Sequence, residues 1–350
     1  MTSRTVPSTG AQDFSLGDFR TSQEEVLPGA KLRYRVFGDP AVGKRDGWVL
    51  LFHALTGSHN ADQWWGPMIG PGKPLDPAVH PILSANLLGS CYGSSSPAPG
   101  SGRAPGAFPD LTPRDLALAH APLLQHLGID HLVLAAGGSL GGMVALEWAR
   151  GATVPTDTVI VFAAPAATSA QAIGWNAAQR MAIEADPGWK GGHYAPGAGP
   201  TAGLATARAI AMITYRSAVE FSSRFGRAST RAQGFFDVEA YLRVQGEKLI
   251  ARFDAASYIA LMRAMDLHDM GGLAEAGRAS AERIKRIIGV GIDTDILYYP
   301  AEVAEWVNEY RSAGLDASYR EIKSMYGHDA FLIEWDQVEA ILREGLGLTR

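Results

Sequence analysis

The segment Gly137-Gly138-Ser139-Leu140-Gly141 sets a serine between two glycines in the spacing G-x-S-x-G. A hydroxyl is a weak nucleophile until a base takes its proton. A serine used this way therefore needs a histidine, an acid to orient that histidine, and donors for the oxyanion formed on attack. Residues 131–134 (HLVL) read as a short buried strand, and residues 143–149 (MVALEWA) form helix readily. Strand, glycine-rich turn and helix are the context in which this spacing makes a nucleophile elbow. The turn forces the serine backbone into strain, and the glycines leave room for it. The alternative is an ordinary strand-to-helix turn in which Ser139 only caps the helix.

The order expected of an elbow fold is nucleophile, acid, then histidine. Of nine histidines, only His193, His268 and His328 follow Ser139. His193 lies in a glycine-rich loop with no strand before it. His268 falls in a helical stretch, ahead of any later acid-bearing strand. His328 comes after a strand candidate at 317–325 and directly behind Gly327, so it is the expected base. The acid should follow the strand at 284–292, which leaves Asp293 and Asp295, and spacing does not choose between them. The apolar strand at 48–52 runs into His53-Ala54-Leu55-Thr56-Gly57, and the loop at this place supplies one oxyanion donor. The backbone N–H groups of Leu55 and Leu140 are the expected pair. His53 is expected to shape that loop and not to react. Cys91 sits in no elbow and reads as a packed small residue.

The elements around these residues alternate. Strand candidates at 32–37, 48–52, 81–86, 131–134, 159–162, 284–292 and 317–325 are interleaved with helices at 112–127, 143–149 and 335–344. This pattern predicts a mostly parallel sheet with helices on both faces. Residues 41–46 read as a turn and 97–107 as a Pro/Gly/Ser loop. From 166 to 278 strand-like runs give way to helix formers at 173–184, 201–215, 238–253 and 256–267, as expected of a helical cap over the site. The expected organisation is a flexible tail (1–12), an α/β core (13–165 and 279–350) and the cap (166–278).

The chain has 350 residues, of which 47% are hydrophobic and 19% charged, with a net charge of -5. That is the composition of a globular protein. No basic stripe points to nucleic acid, and no apolar run is long enough for a membrane span. The polar start MTSRTVPSTGAQ lacks the apolar segment of a secretory signal. A single cysteine rules out an internal disulfide and suits a reducing cytoplasm.

Eight stretches together carry a more specific resemblance: HALTG (53–57), WW (64–65), IGPG (69–72), LGSCYGS (88–94), GGSLGGMVALEWA (137–149), RAIAMITYRS (208–217), YLRVQGEKLIARFD (241–254) and GHDAFL (327–332). From about residue 32 onward the chain resembles the homoserine O-acetyltransferase family of the α/β-hydrolase fold. The resemblance implies acetyl transfer from acetyl-CoA to the γ-hydroxyl of L-homoserine, on the route to methionine. It implies Ser139 as nucleophile, His328 as base and Asp295 as acid. Arg208 would hold the substrate carboxylate with Tyr215 nearby, and Asp329 the amine. It further implies a homodimer through the cap helices, no metal, and no cofactor beyond the CoA thioester. Arg208 and Tyr215, seven residues apart, would share one helix face. Two positions depart from the family pattern: Leu140 stands where methionine is common, and Thr294 precedes the acid where serine is usual. Close relatives use succinyl-CoA or acylate serine, and a simple esterase would need only the triad.

Overall fold

The structure, a computed structural model, describes residues 8–101, 106–230 and 235–348. Its strands are β1 (Gln12–Arg20), β2 (Val26–Phe37), β3 (Trp48–Phe52), β4 (Ile82–Ala85), β5 (Leu132–Gly138), β6 (Thr156–Phe162), β7 (Ser229–Thr230), β8 (Phe235–Phe236), β9 (Ile284–Ile292) and β10 (Asp316–Ile322). The two-residue strands β7 and β8 pair with each other. The other eight form one sheet in the order β1-β2-β4-β3-β5-β6-β9-β10. From β4 to β10 the neighbours are parallel, while β2 is antiparallel to both β4 and β1. Every residue of β3 is buried, because helices cover both faces of a parallel sheet. The loops that leave the C-terminal ends of β3, β5, β9 and β10 lie along one edge of the sheet, where an open α/β sheet places its site.

Several segments differ from the sequence expectation. Of the expected tail, residues 1–7 lie outside the described residues, Ser8 bridges to Phe37, and Gln12 already opens β1. No residue of β1 is fully buried, and register shifts at Gly17 break the alternation begun by Phe14 and Leu16. Residues 41–46 are not a turn but part of a helix, Pro40–Asp46, which a cap creates: Asp39 accepts from Ala41 N–H and Pro40 takes the first position. The helix expected at 112–127 is two, Pro113–Leu118 and His120–Leu127. Pro122 has no N–H to bond Leu118 C=O, so the continuous ladder breaks there. Of the loop at 97–107, residues 102–105 lie outside the described residues.

The cap consists of the helices Ala170–Glu184, Thr201–Tyr215, Ala218–Arg224, Asp237–Ile250 and Ala255–Asp266. The next helix, Leu273–Ala281, packs on the core helices Leu140–Gly151 and Pro300–Ser312. A Cβ at Gly277 would lie 2.9 Å from Ala313 Cβ and 3.1 Å from Tyr310 Cα, so glycine permits that close approach. The chain is thus back against the core at Leu273, slightly before the boundary expected at 279. Among the described residues no helix is long and apolar enough to cross a membrane.

Candidate active site

Ser139 stands between β5 and the Leu140–Gly151 helix with φ 57° and ψ −126°, a left-handed conformation that is strained for a residue with a Cβ. The surrounding glycines are dictated by contact. A Cβ at Gly137 would fall 2.2 Å from Gly141 O, and one at Gly141 would fall 2.2 Å from Phe52 O. Strand, helix and β3 meet too closely there for any side chain. Ser139 occupies the N-cap position, yet its hydroxyl makes no capping hydrogen bond. The capping alternative therefore fails. The serine lines a cavity of about 220 Å³ together with Leu55, Arg208, Tyr215, His328 and Asp329.

His328 lies in the short helix Gly327–Leu332 after β10, and Asp295 lies in the loop after β9. His328 Nδ1 is 2.6 Å from Asp295 Oδ2, and both residues are 2% exposed. The other carboxylate oxygen, Oδ1, accepts the N–H groups of Leu297 (2.8 Å) and Tyr298 (3.1 Å). The acid is thus held at three points, and Nδ1 must be the protonated nitrogen. Nε2 is then the free lone pair, and it is buried without a hydrogen-bond partner. Burial by itself would depress the imidazole pKa. The Asp295 charge, the hydrogen bond to it and the nearby Asp329 outweigh burial and raise it above the ordinary 6.5. The competing acid, Asp293, turns away: it accepts Ser324 N–H at 2.9 Å and lies near Lys323 Nζ.

Two connections join these loops. Thr294 Oγ1 donates to Ser324 O (2.6 Å) and accepts Gly327 N–H (3.1 Å), so the acid loop holds the histidine loop directly. Gly327, at φ 69°, packs so closely on the end of the Thr201–Tyr215 helix that a Cβ would lie 2.8 Å from Ser217 N and 2.9 Å from Tyr215 O. Ser217 Oγ also donates to Met325 O. Trp65, from the WW motif, donates from its indole to Phe331 O (3.3 Å), and a Cβ at Gly138 would strike the Phe331 ring.

Residues 54–57 form a four-residue turn closed by Gly57 N–H to Ala54 O (2.9 Å). His53 Nε2 accepts Leu87 N–H (2.9 Å), so Nδ1 carries the proton and donates to Ala54 O (2.8 Å). Both ring nitrogens are used, and burial lowers the pKa to about 4. His53 is a neutral brace under the turn. Among the described residues the N–H groups of Leu55 and Leu140 donate to no protein acceptor, as oxyanion donors must. The remaining histidines are elsewhere: His193 is exposed, and His268 is buried against Pro165 O at 3.0 Å. Cys91 is partly buried, and burial pushes its thiol up to about 11.

The Arg208 guanidinium carbon sits 5.5 Å from the Tyr215 ring centroid, so the two do share a face. The Tyr215 ring centroid is 5.7 Å from that of His328. Asp329 is not free. Arg216 Nη2 lies 3.2 Å from its Oδ2, and Arg216 also meets Glu220 at 3.4 Å. Sequence reasoning missed Arg216, and it also missed Arg252, whose guanidinium hydrogen-bonds Thr56 and Tyr92. Both belong to stretches quoted for the resemblance, but only the fold shows what they touch.

A strained serine above a parallel sheet, beside a histidine on a buried aspartate, defines the class as the α/β-hydrolase fold. The family model for the alpha/beta hydrolase fold matches residues 47–264. Homoserine O-acetyltransferase of Thermus thermophilus is 44% identical over 351 residues, covering 93% of this chain and 88% of that protein. The chain belongs to the homoserine O-acetyltransferase family. The crystal structure of homoserine O-acetyltransferase from Staphylococcus aureus superposes with a TM-score of 0.78 at 27% identity, over 98% of this chain and 97% of that one. Esterase E22 superposes at 0.85 with 20% identity, over 97% and 100%. That likeness is one of fold alone.

Proposed function

We propose that the protein transfers an acetyl group from acetyl-CoA to the hydroxyl of L-homoserine through an acyl-enzyme on Ser139. The observation that carries the reading is the unpartnered Nε2 of His328, in the same cavity as the strained serine and the Arg208 guanidinium. His328 Nε2 takes the Ser139 proton as Oγ attacks the thioester carbonyl. The N–H groups of Leu55 and Leu140 receive the oxyanion. The C–S bond breaks, and the leaving thiolate takes the proton from His328. Homoserine then gives its hydroxyl proton to Nε2, its oxygen attacks the acyl-serine, and the proton returns to Ser139 Oγ as the ester bond breaks. Asp295 stays ionised and steadies the imidazolium formed in each half.

Arg208 suits the acceptor carboxylate, since a guanidinium binds a carboxylate bidentately and it has no ion-pair partner among the described residues. Asp329 suits the ammonium group, with Arg216 holding the carboxylate in place. A cavity of about 220 Å³ is below the usual range of drug-sized sites, about 300–1,000 Å³, and matches an amino-acid acceptor. Bound this way, the acceptor hydroxyl sits where water would otherwise attack. A homodimer through the cap helices is part of the same reading; the cap leaves Met181, Val219, Phe236 and Val244 exposed. The single cysteine favours a cytoplasmic setting.

The test is CoA release from acetyl-CoA or succinyl-CoA, each with homoserine, serine or no acceptor. Release that depends on homoserine and acetyl-CoA supports the reading. Dependence on succinyl-CoA or serine would reassign the donor or acceptor, and release that ignores the acceptor would make the enzyme a hydrolase.

A further inference from the structure

The oxyanion turn is held from two sides. The core holds its first residue, through His53 on Ala54 O. The tip is held from the cap, by Arg252, which lies just beyond the Asp237–Ile250 helix. Arg252 Nη1 donates to Thr56 O (2.7 Å) and to Tyr92 Oη (2.7 Å), and its Nη2 donates to Thr56 Oγ1 (3.1 Å). Both oxygens of Thr56 thus rest on one planar guanidinium. Thr56 C=O and Gly57 N–H lie in one planar peptide, and Ala54 C=O and Leu55 N–H lie in another. The closing bond from Gly57 N–H to Ala54 O couples the two peptides, so the hold of Arg252 on Thr56 O reaches the peptide that carries the Leu55 N–H.

We propose that Arg252 is a positioning residue for the oxyanion hole: by fixing Thr56 it holds the Thr56–Gly57 peptide, whose N–H bonds Ala54 O, and so helps to set the Ala54–Leu55 peptide that carries the Leu55 N–H. The inference rests on the reading of Leu55 N–H as an oxyanion donor. Its consequence is that the hole is complete only while the cap is seated, because a cap side chain finishes a core turn. A rival role follows from where Arg252 lies. It lines the Ser139 cavity and also borders neighbouring hollows of about 390 Å³ and 380 Å³, where a cation could meet the phosphates of a CoA donor.

The two roles separate with a donor that has no phosphates. First-turnover acylation is measured with p-nitrophenyl acetate and with acetyl-CoA for full-length wild type, Arg252→Met, Arg252→Lys and Thr56→Val. Loss of an oxyanion donor lowers rates by about 10²–10³-fold. A misaimed donor should lower acylation of Arg252→Met by about tenfold or more with both donors. Arg252→Lys should recover part of the rate, since an ammonium can still reach Thr56 O. Thr56→Val, which keeps the carbonyl contact, should fall less than Arg252→Met. KM for homoserine should stay within about twofold, and the acid limb of the pH profile should not move, because Arg252 does not touch His328. Acylation by p-nitrophenyl acetate within about twofold of wild type in both folded Arg252→Met and Thr56→Val would overturn the proposal. So would a defect confined to acetyl-CoA, which would assign Arg252 to donor binding. A wild type that neither donor acylates would overturn the parent reading of the site, and this one with it.

Discussion

Lowering the pH from 7.5 to 5 should destabilise the fold through three histidines that take no part in the reaction. His53, His120 and His268 are fully buried, and burial depresses each from 6.5 to about 4. Each has a neutral ring in the folded chain and a protonated one in the unfolded chain over that interval. A depressed histidine leaves stability intact above 6.5 and removes it as pH falls toward the folded value. At pH 5 the unfolded ring is almost fully protonated and the folded ring about one-tenth so, a difference of about 2 kcal/mol per histidine. The three together remove about 6 kcal/mol, which is of the order of the whole stability of a typical domain, about 5–15 kcal/mol. Near pH 5 the slope should approach about 3–4 kcal/mol per pH unit. His328 acts in the opposite sense. Its raised pKa adds stability below 6.5 that is lost as pH rises through the folded value, so it offsets part of the loss. Urea titrations at pH 7.5, 6 and 5, followed by near-UV circular dichroism, measure the slope. His120→Gln and His268→Gln should each flatten it by about a third. A change in unfolding free energy below about 1 kcal/mol between pH 7.5 and 5 would refute the burial argument.

Three further outcomes follow. Asp295→Asn removes the charge that outweighs burial at His328, so the acid limb of kcat/KM should move to lower pH while kcat falls by up to about 10⁴-fold; an unmoved limb would assign the raised pKa to another group. Arg208→Ala should raise KM for homoserine by about tenfold or more while first-turnover acylation by acetyl-CoA stays near wild type, which burst kinetics will show. Gly327→Ala, at positive φ and against backbone atoms of the cap, should lower stability by about 1–3 kcal/mol in a denaturant titration.

The candidate site is more legible in the sequence than some of its supports. Ser139 and His328 were readable because an elbow needs its glycines and the chain order leaves few histidines. Spacing left Asp293 and Asp295 level, since both lie on one loop; the resemblance favoured Asp295, and the backbone donors of Leu297 and Tyr298 show what orients it. β1 half-buries Phe14, Leu16 and Phe19, and register shifts at Gly17 interrupt their alternation. The Pro40–Asp46 helix arises from its cap and proline, and its polar residues hide it from a periodicity reading. Arg216 and Arg252 find their partners across distant parts of the chain, and no local spacing encodes such pairs.

The packing of Gly327 against the end of the Thr201–Tyr215 helix has a consequence for recombination. A crossover placed between cap and core, the natural seam for exchanging acceptor preference between relatives, would cut through this contact. The segments 208–217 and 325–329 act as one heritable block, although more than a hundred residues of chain separate them. Chimeras that exchange both segments together should retain a working base, whereas those that exchange the helices alone inherit a histidine loop shaped for a different neighbour.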